Sequence, residues 1–208
     1  MDDKKEYILK QISELYLKFG IRSITMDDVA GEFGISKKTL YQYFEDKADL
    51  VQQVIDCYLK SPDFNLDSDI SGNAIDRYFA LRAHIIQVMK YMHSNIEFDL
   101  KKLYPRLYQK VYKVKRERIY SNTVKNLNQG ITEGLFRADI DPEIVAKLQV
   151  GKMLYTLDPQ NGIFTESELT NIEIFDRVME YFMYSVCTEK GIKYYKEQLN
   201  ELKNDLKN

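Results

Sequence analysis

Apolar residues recur along this chain at spacings of three and four, and the alternation expected of strands is hard to find. Ile8, Ile12, Leu15, Tyr16 and Phe19 form one helical stripe, which Gly20 ends. Leu50, Val51, Val54, Ile55, Tyr58 and Leu59 form another. The pattern predicts further helices over 73–93, 105–130, 142–157 and 166–189. Pro105 and Pro142 stand where first-turn prolines belong, because a first turn leaves its N–H groups unpaired anyway. Thr165-Glu166-Ser167-Glu168 has the spacing of a capping box. Segment 61–72 is polar and turn-rich and reads as a linker, and Asp158-Pro159 and Asn161-Gly162 mark a loop. Beyond Gly191, the positions Ile192, Tyr195, Leu199, Leu202 and Leu206 predict one more amphipathic helix, which either packs on the body or extends a dimer contact. The expected fold is all-α with nine or ten helices. Its expected division is a small N-terminal domain over 1–46 and a larger helical domain over 47–208.

Composition narrows the function. Of 208 residues, 44% are hydrophobic and 30% charged, enough apolar material for a core and too much for wholesale disorder. The net charge of −2 gives no whole-chain attraction to nucleic acid, so any such claim must rest on a local patch. No apolar run approaches the roughly 18–20 residues of a membrane helix, and no secretory core follows the first residues. A cytoplasmic protein without membrane association is expected, with Cys57 and Cys187 reduced. Those cysteines match no metal spacing, and His84 and His93 do not pair on one helix face. There is no Gly-rich phosphate loop, no nucleophile elbow and no paired-His motif. The expectation is therefore no enzyme, no cofactor and no metal. Charge is nonetheless uneven. Residues 101–125 carry nine Lys and Arg against one acid, and 126–189 carry four against eleven. The basic helix reads as a solvated or acid-paired face, or as a mouth that draws anionic ligands such as carboxylates or acyl thioesters.

Residues 25–49 are the densest signal. Thr25 caps a short helix beginning at Met26, with Asp28 three positions on. Gly34 stops that helix, Ser36 caps a second over Lys37–Phe44, and Asp46 caps a third. Two helices of about two turns joined by four residues make a helix-turn-helix. Ala30 is small where the helices cross, Gly34 turns the chain, and Leu40 points back to the core. Lys37 and Lys38 occupy the first turn of their helix, at the positive end of its dipole, where each costs about 0.3–1 kcal/mol against a neutral residue. An anion waiting outside that end removes the conflict, and DNA phosphate is such an anion. Thr39, Tyr41, Gln42 and Tyr43 add hydroxyl and amide groups to the same helix, and Lys47 opens the next.

The run Ile24-Thr25-Met26-Asp27-Asp28-Val29-Ala30, continuing Phe33-Gly34-Ile35-Ser36-Lys37-Lys38-Thr39-Leu40-Tyr41-Gln42-Tyr43-Phe44-Glu45-Asp46-Lys47-Ala48-Asp49-Leu50, resembles the N-terminal domain of the tetracycline-repressor (TetR) family. The resemblance covers residues 5–55. A weaker echo over Asn128–Asp141 is similar to the end of the family's seventh helix and its following loop. The resemblance implies a homodimeric, ligand-responsive transcriptional regulator, most often a repressor, bound to double-stranded operator DNA and released by a small-molecule effector. Ser36 to Phe44 is then the recognition helix, opened by Ser36. Thr25, Thr39, Tyr41, Tyr43 and Lys47 hold phosphates, and Lys37, Lys38 and Gln42 are the candidates for base edges. Which lysine reads a base and which holds a phosphate stays open. Asp27, Asp28, Glu45 and Asp46 are expected to cap helices and face away from DNA.

The larger part offers weaker signals. Phe175, Val178, Met179, Phe182, Met183 and Val186 make one apolar stripe, and Ile144, Leu148, Gly151 and Tyr155 another. They face either the subunit's own core or, as the resemblance implies, a partner across a two-fold axis. Gly151, Phe175, Met179, Phe182 and Met183 are the interface candidates. His84, Val88, Tyr91, Phe98, Tyr104 and Tyr155 are the candidates for an effector pocket, against the alternative of a Tyr- and Met-rich core.

Overall fold

The computed structural model describes residues 3–61, 71–89, 96–169 and 171–205. Among these, regular structure is helical apart from one isolated antiparallel bridge between Phe136 and Cys187. Eleven α-helices form among the described residues: α1 (Asp3–Phe19), α2 (Met26–Glu32), α3 (Lys37–Tyr43), α4 (Lys47–Tyr58), α5 (Ala74–Met89), α6 (Ile96–Leu103), α7 (Pro105–Thr132), α8 (Pro142–Gly151), α9 (Glu166–Leu169), α10 (Ile172–Val186) and α11 (Glu189–Asp205). The all-α expectation holds, with more elements than the nine or ten expected. Helix α6 was not foreseen. The span 166–189 holds two helices, α9 and α10, and the Asn171 side chain accepts from the Glu173 N–H at 2.9 Å and caps α10. The span 142–157 begins as α8, capped by Asp141 with Pro142 in its first turn, and widens into a π-helical turn over Lys152–Thr156.

The chain divides into two compact units. The first comprises 1–68 and 87–115, the second 69–86 and 116–208. The boundary expected at residue 46 falls inside the first unit, because α4 shares its core with α1–α3. That core is built from Ile8, Ile12 and Tyr16 of α1, Val29 and Ala30 of α2, Leu40 of α3, Leu50, Val51 and Val54 of α4, Leu100 of α6 and Val111 of α7. Ile8, Ile12 and Tyr16 of the α1 stripe are buried as their spacing predicts, while Leu15 is half-buried and Phe19, the last of the helix, lies exposed.

The second unit centres on Ala74, Ile75 and Tyr78 of α5, Leu127 of α7, Phe136, the α10 residues Phe175, Met179, Met183 and Val186, and Tyr195 of α11. A buried ion pair crosses it. Arg82, only 6% exposed, donates Nε and Nη2 to the two carboxylate oxygens of Asp176 at 2.6 and 2.7 Å. Helix α11 begins against the Leu135 carbonyl, an approach that Gly191 permits because a Cβ there would overlap that oxygen. Ile192, Tyr195 and Leu199 then pack on the unit's core, so the predicted C-terminal helix packs on the body.

Candidate nucleic-acid interface

The α2-turn-α3 segment is organised by local hydrogen bonds. Thr25 and Asp28 form a complete capping box. The Thr25 N–H donates to Asp28 Oδ2 at 2.8 Å, and the Asp28 N–H donates to Thr25 Oγ1 at 3.2 Å. The Thr25 hydroxyl also donates to Asp28 and holds that carboxyl below the usual carboxylate range. Gly34, at φ +60°, lets the chain leave α2 in the left-handed region, and the Ile35 N–H returns to the Ala30 carbonyl at 3.0 Å. Ser36 Oγ accepts the Thr39 N–H at 3.1 Å and opens α3. The Asp49 N–H donates to Asp46 Oδ1 at 2.8 Å and opens α4. All the caps expected between Thr25 and Asp49 are present.

Helix α3 is seven residues long and anchored by one fully buried side chain, Leu40, with Phe44 buried just beyond its end. Thr39 and Tyr43 are half-buried. Lys37, Lys38, Tyr41 and Gln42 are exposed. Their spacing of one and four groups them on one side of the helix, with Lys38 and Gln42 furthest round from the Leu40 anchor. That face presents two ammonium groups, a phenol and an amide, the donor and acceptor set that phosphates and major-groove base edges require. Ser36 and Thr25 stand exposed at the helix starts, with their hydroxyls already engaged in capping.

The charges are arranged differently from the sequence expectation. Asp28 and Asp46 cap, as expected. Asp27 does not face away: its Oδ1 lies 2.6 Å from Lys37 Nζ, and this pair raises the Lys37 pKa above its ordinary value. The unfavourable position of Lys37 against the α3 dipole is thus offset inside the protein by a neighbouring helix. Lys38 makes no ion pair among the described residues. Lys47, half-buried at the start of α4, donates Nζ to the Arg22 carbonyl at 3.3 Å. Burial lowers its pKa, and the charges of Asp99 and Asp28 act against that shift.

The pocket candidates are divided between the two units. Phe98 and Tyr104 belong to the first unit, Phe98 exposed with the Lys102 ammonium 5.6 Å from its ring centre, Tyr104 half-buried against the core. His84 and Tyr155 belong to the second, half-buried and exposed respectively. The Val88 side chain and all of Tyr91 lie outside the described residues. An open groove of about 440 Å³ runs along Cys187, Thr188, Glu189, Ile192, Lys193 and Lys196, and none of the pocket candidates lines it.

Of the interface candidates, Phe175, Met179 and Met183 are buried in the second unit's own core, Met183 at 1% exposure. Phe182 is half-buried with the Lys152 ammonium 4.6 Å from its ring centre, and Gly151 is exposed. The large apolar side chains that α8, its π turn and α10 leave in solvent are others: Ile144, Leu148 (69% exposed), Tyr155, Tyr181 (77% exposed) and Tyr184.

Comparison with known proteins agrees with this geometry. Residues 8–54, α1 without its first turn through most of α4, match the profile of bacterial regulatory proteins of the tetR family. The chain is 24% identical over 152 residues to the HTH-type transcriptional repressor KstR2 of Mycobacterium tuberculosis, spanning 70% of this chain and 75% of that one. A transcriptional regulator from Saccharomonospora viridis, solved in complex with choline, superposes with a TM-score of 0.64 at 16% identity, over 91% of this chain and all of that one. A TetR transcriptional regulator from Chloroflexus aurantiacus gives 0.63 at 15% identity, over 89% and 98%. Exposed cations and hydroxyls on a two-turn helix, capped and anchored as described, thus coincide with the matched segment: residues 8–54 are a DNA-binding domain of the tetR type, in a chain similar over most of its length to transcriptional regulators.

Proposed function

We propose that the chain acts in the cytoplasm as a homodimeric repressor that binds a near-palindromic operator through α3 and releases it when a small effector binds the helical remainder. The observation that carries the DNA reading is the α3 face itself. Lys37, Lys38, Tyr41 and Gln42 stand exposed together while Leu40 alone anchors the helix. In this reading Tyr41, Thr39, Tyr43, Thr25 and Lys47 hold phosphates, and Lys37, Lys38 and Gln42 reach base edges. A glutamine pairs bidentately with adenine, and a lysine reaches the acceptors of guanine. A two-fold dimer sets its recognition helices about 34–36 Å apart, one turn of DNA, which is why the operator is near-palindromic.

Dimerisation is supported by the exposed apolar side chains Ile144, Leu148, Tyr155, Tyr181 and Tyr184 of α8, its π turn and α10. Gly151, exposed between Leu148 and Tyr155, lets a partner helix approach closely there. Phe175, Met179 and Met183 support that face from within. Repression is the named activity of the Mycobacterium tuberculosis relative, and choline in the Saccharomonospora viridis regulator is an example of a small ligand in a protein of this fold.

The test is a mobility shift on the DNA immediately upstream of the protein's own gene. The wild-type chain is expected to give a shift that specific competitor removes. Lys37→Ala combined with Tyr41→Ala, both exposed, is expected to abolish it while leaving the thermal unfolding curve in place. An undiminished shift in the double variant would overturn the assignment of these side chains.

A further inference from the structure

Helix α6 places one carboxylate where a stable fold alone has little use for it. Asp99 is 6% exposed, in a unit whose other buried side chains are nearly all apolar. A buried carboxylate is costly unless bonded and balanced by positive charge. Its hydrogen bond reaches across 77 positions of sequence: the Arg22 N–H donates to Asp99 Oδ2 at 2.9 Å, in the turn between α1 and α2. The turn is shaped to admit it. Gly20 ends α1 at φ +80°, and even a bare Cβ at that position would stand 3.3 Å from Asp99 Oδ2. The other side of the same residue faces the DNA-binding helices, because the Arg22 carbonyl accepts from Lys47 Nζ at 3.3 Å. Asp99 also acts on Lys47 through its charge, which favours the ammonium against the burial that opposes it.

We infer that Asp99 is a positioning residue for DNA binding. It fixes the Arg22 residue from α6, and Arg22 through its carbonyl fixes the Lys47 ammonium at the start of α4, ready for a phosphate. Leu100, Tyr104 and Val111 seat α6 and the start of α7 on the core of α1–α4, so the carboxylate is delivered from a fixed base. The inference rests on the reading of Lys47 as a phosphate contact and goes beyond it. It assigns the aim of that lysine to a residue outside the helix-turn-helix segment.

Affinity and its salt dependence test this together, on the full-length chain and a short duplex recovered from random-sequence DNA by selection on that chain. Each phosphate contact contributes about 0.9 to the slope of log affinity against log salt. Lys47→Ala is expected to flatten the slope by about that much per protomer. Asp99→Ala is expected to weaken binding about tenfold, to flatten the slope as Lys47→Ala does, and to flatten it no further in the Lys47→Ala background. Asp99→Asn, whose amide oxygen still accepts the Arg22 N–H, is expected to stay within about twofold of wild type. If Lys47→Ala leaves affinity and slope unchanged, the phosphate reading of Lys47 fails, and the inference with it. If Lys47→Ala flattens the slope but Asp99→Ala does not, the lysine stands and the role given to Asp99 is overturned. Amide hydrogen exchange of the wild-type chain needs no variant to fold. The Arg22 amide is expected to be protected, and exchange at the rate of an open loop would overturn the inference.

Discussion

Lys152 shows how much one side chain of this protein carries against its surroundings. It stands in the π-helical turn after α8, over the Phe182 ring, and no carboxylate faces it among the described residues. Burial alone lowers its pKa from 10.5 to about 8. Below pH 8 the ammonium persists in both the folded and the unfolded chain, so the folded state carries the whole cost of desolvating it. Between about 8 and 10.5 the folded lysine has lost its proton while the unfolded one keeps it, so stability rises with pH across that window. Lys152→Met is therefore expected to raise the melting temperature at pH 7 and to erase this rise, measured as the difference between variant and wild type. The difference matters because Cys187 acts in the opposite sense. Burial pushes its thiol up from 9 to about 12, so its contribution is lost as pH climbs above 9. None of this was legible in the sequence. Lys152 reads there as one more charge on an amphipathic helix, and only the packing of α10 beside it removes its water.

At the scale of elements, caps and stops were readable because they are local. Thr25, Ser36, Asp46 and Thr165 each cap the helix that their spacing announces, Pro142 opens α8 as expected, and Gly20 and Gly34 take the positive φ that ends α1 and α2. Helix α6 was not readable. It is eight residues long, and its buried Asp99 breaks the apolar pattern that would have revealed it. Helix α10 was found, but its apolar stripe left open whether it faces the core or a partner. Phe175, Met179, Met183 and Val186 turn inward while Tyr181 and Tyr184 turn outward, and an apolar residue on either face looks alike in the sequence. The pocket candidates divide between the two units for a related reason: aromatic residues at helical spacing do not say which unit they join. Close approach between elements is also invisible in a single sequence, as at the start of α11. Gly191→Ala would drive a methyl group into the Leu135 carbonyl. Backbone cannot yield as a flexible side chain does, so a loss of about 1–3 kcal/mol is expected in denaturant unfolding. An unchanged midpoint would show that α11 docks with slack.

For the whole molecule, DNA binding and self-association are coupled if two protomers read one operator. Leu148 is the most exposed aliphatic side chain on α8 and lies remote in sequence from α3. Leu148→Glu is expected to leave the helical spectrum intact, to yield a monomer in sedimentation, and to weaken operator binding at least tenfold, since one protomer engages half a site. A dimer that survives this change would move the interface elsewhere. The pairing of Lys37 with Asp27 has a consequence at this scale too. Any duplex that uses Lys37 must first draw it away from a carboxylate only 2.6 Å from its ammonium. Along a chromosome, most encounters offer phosphates and nothing more, and for them this exchange of one anion for another returns little. A site that also presents a matching base edge gains from the same movement, so an internal rival for one lysine sharpens the choice between the operator and the excess of ordinary sequence around it.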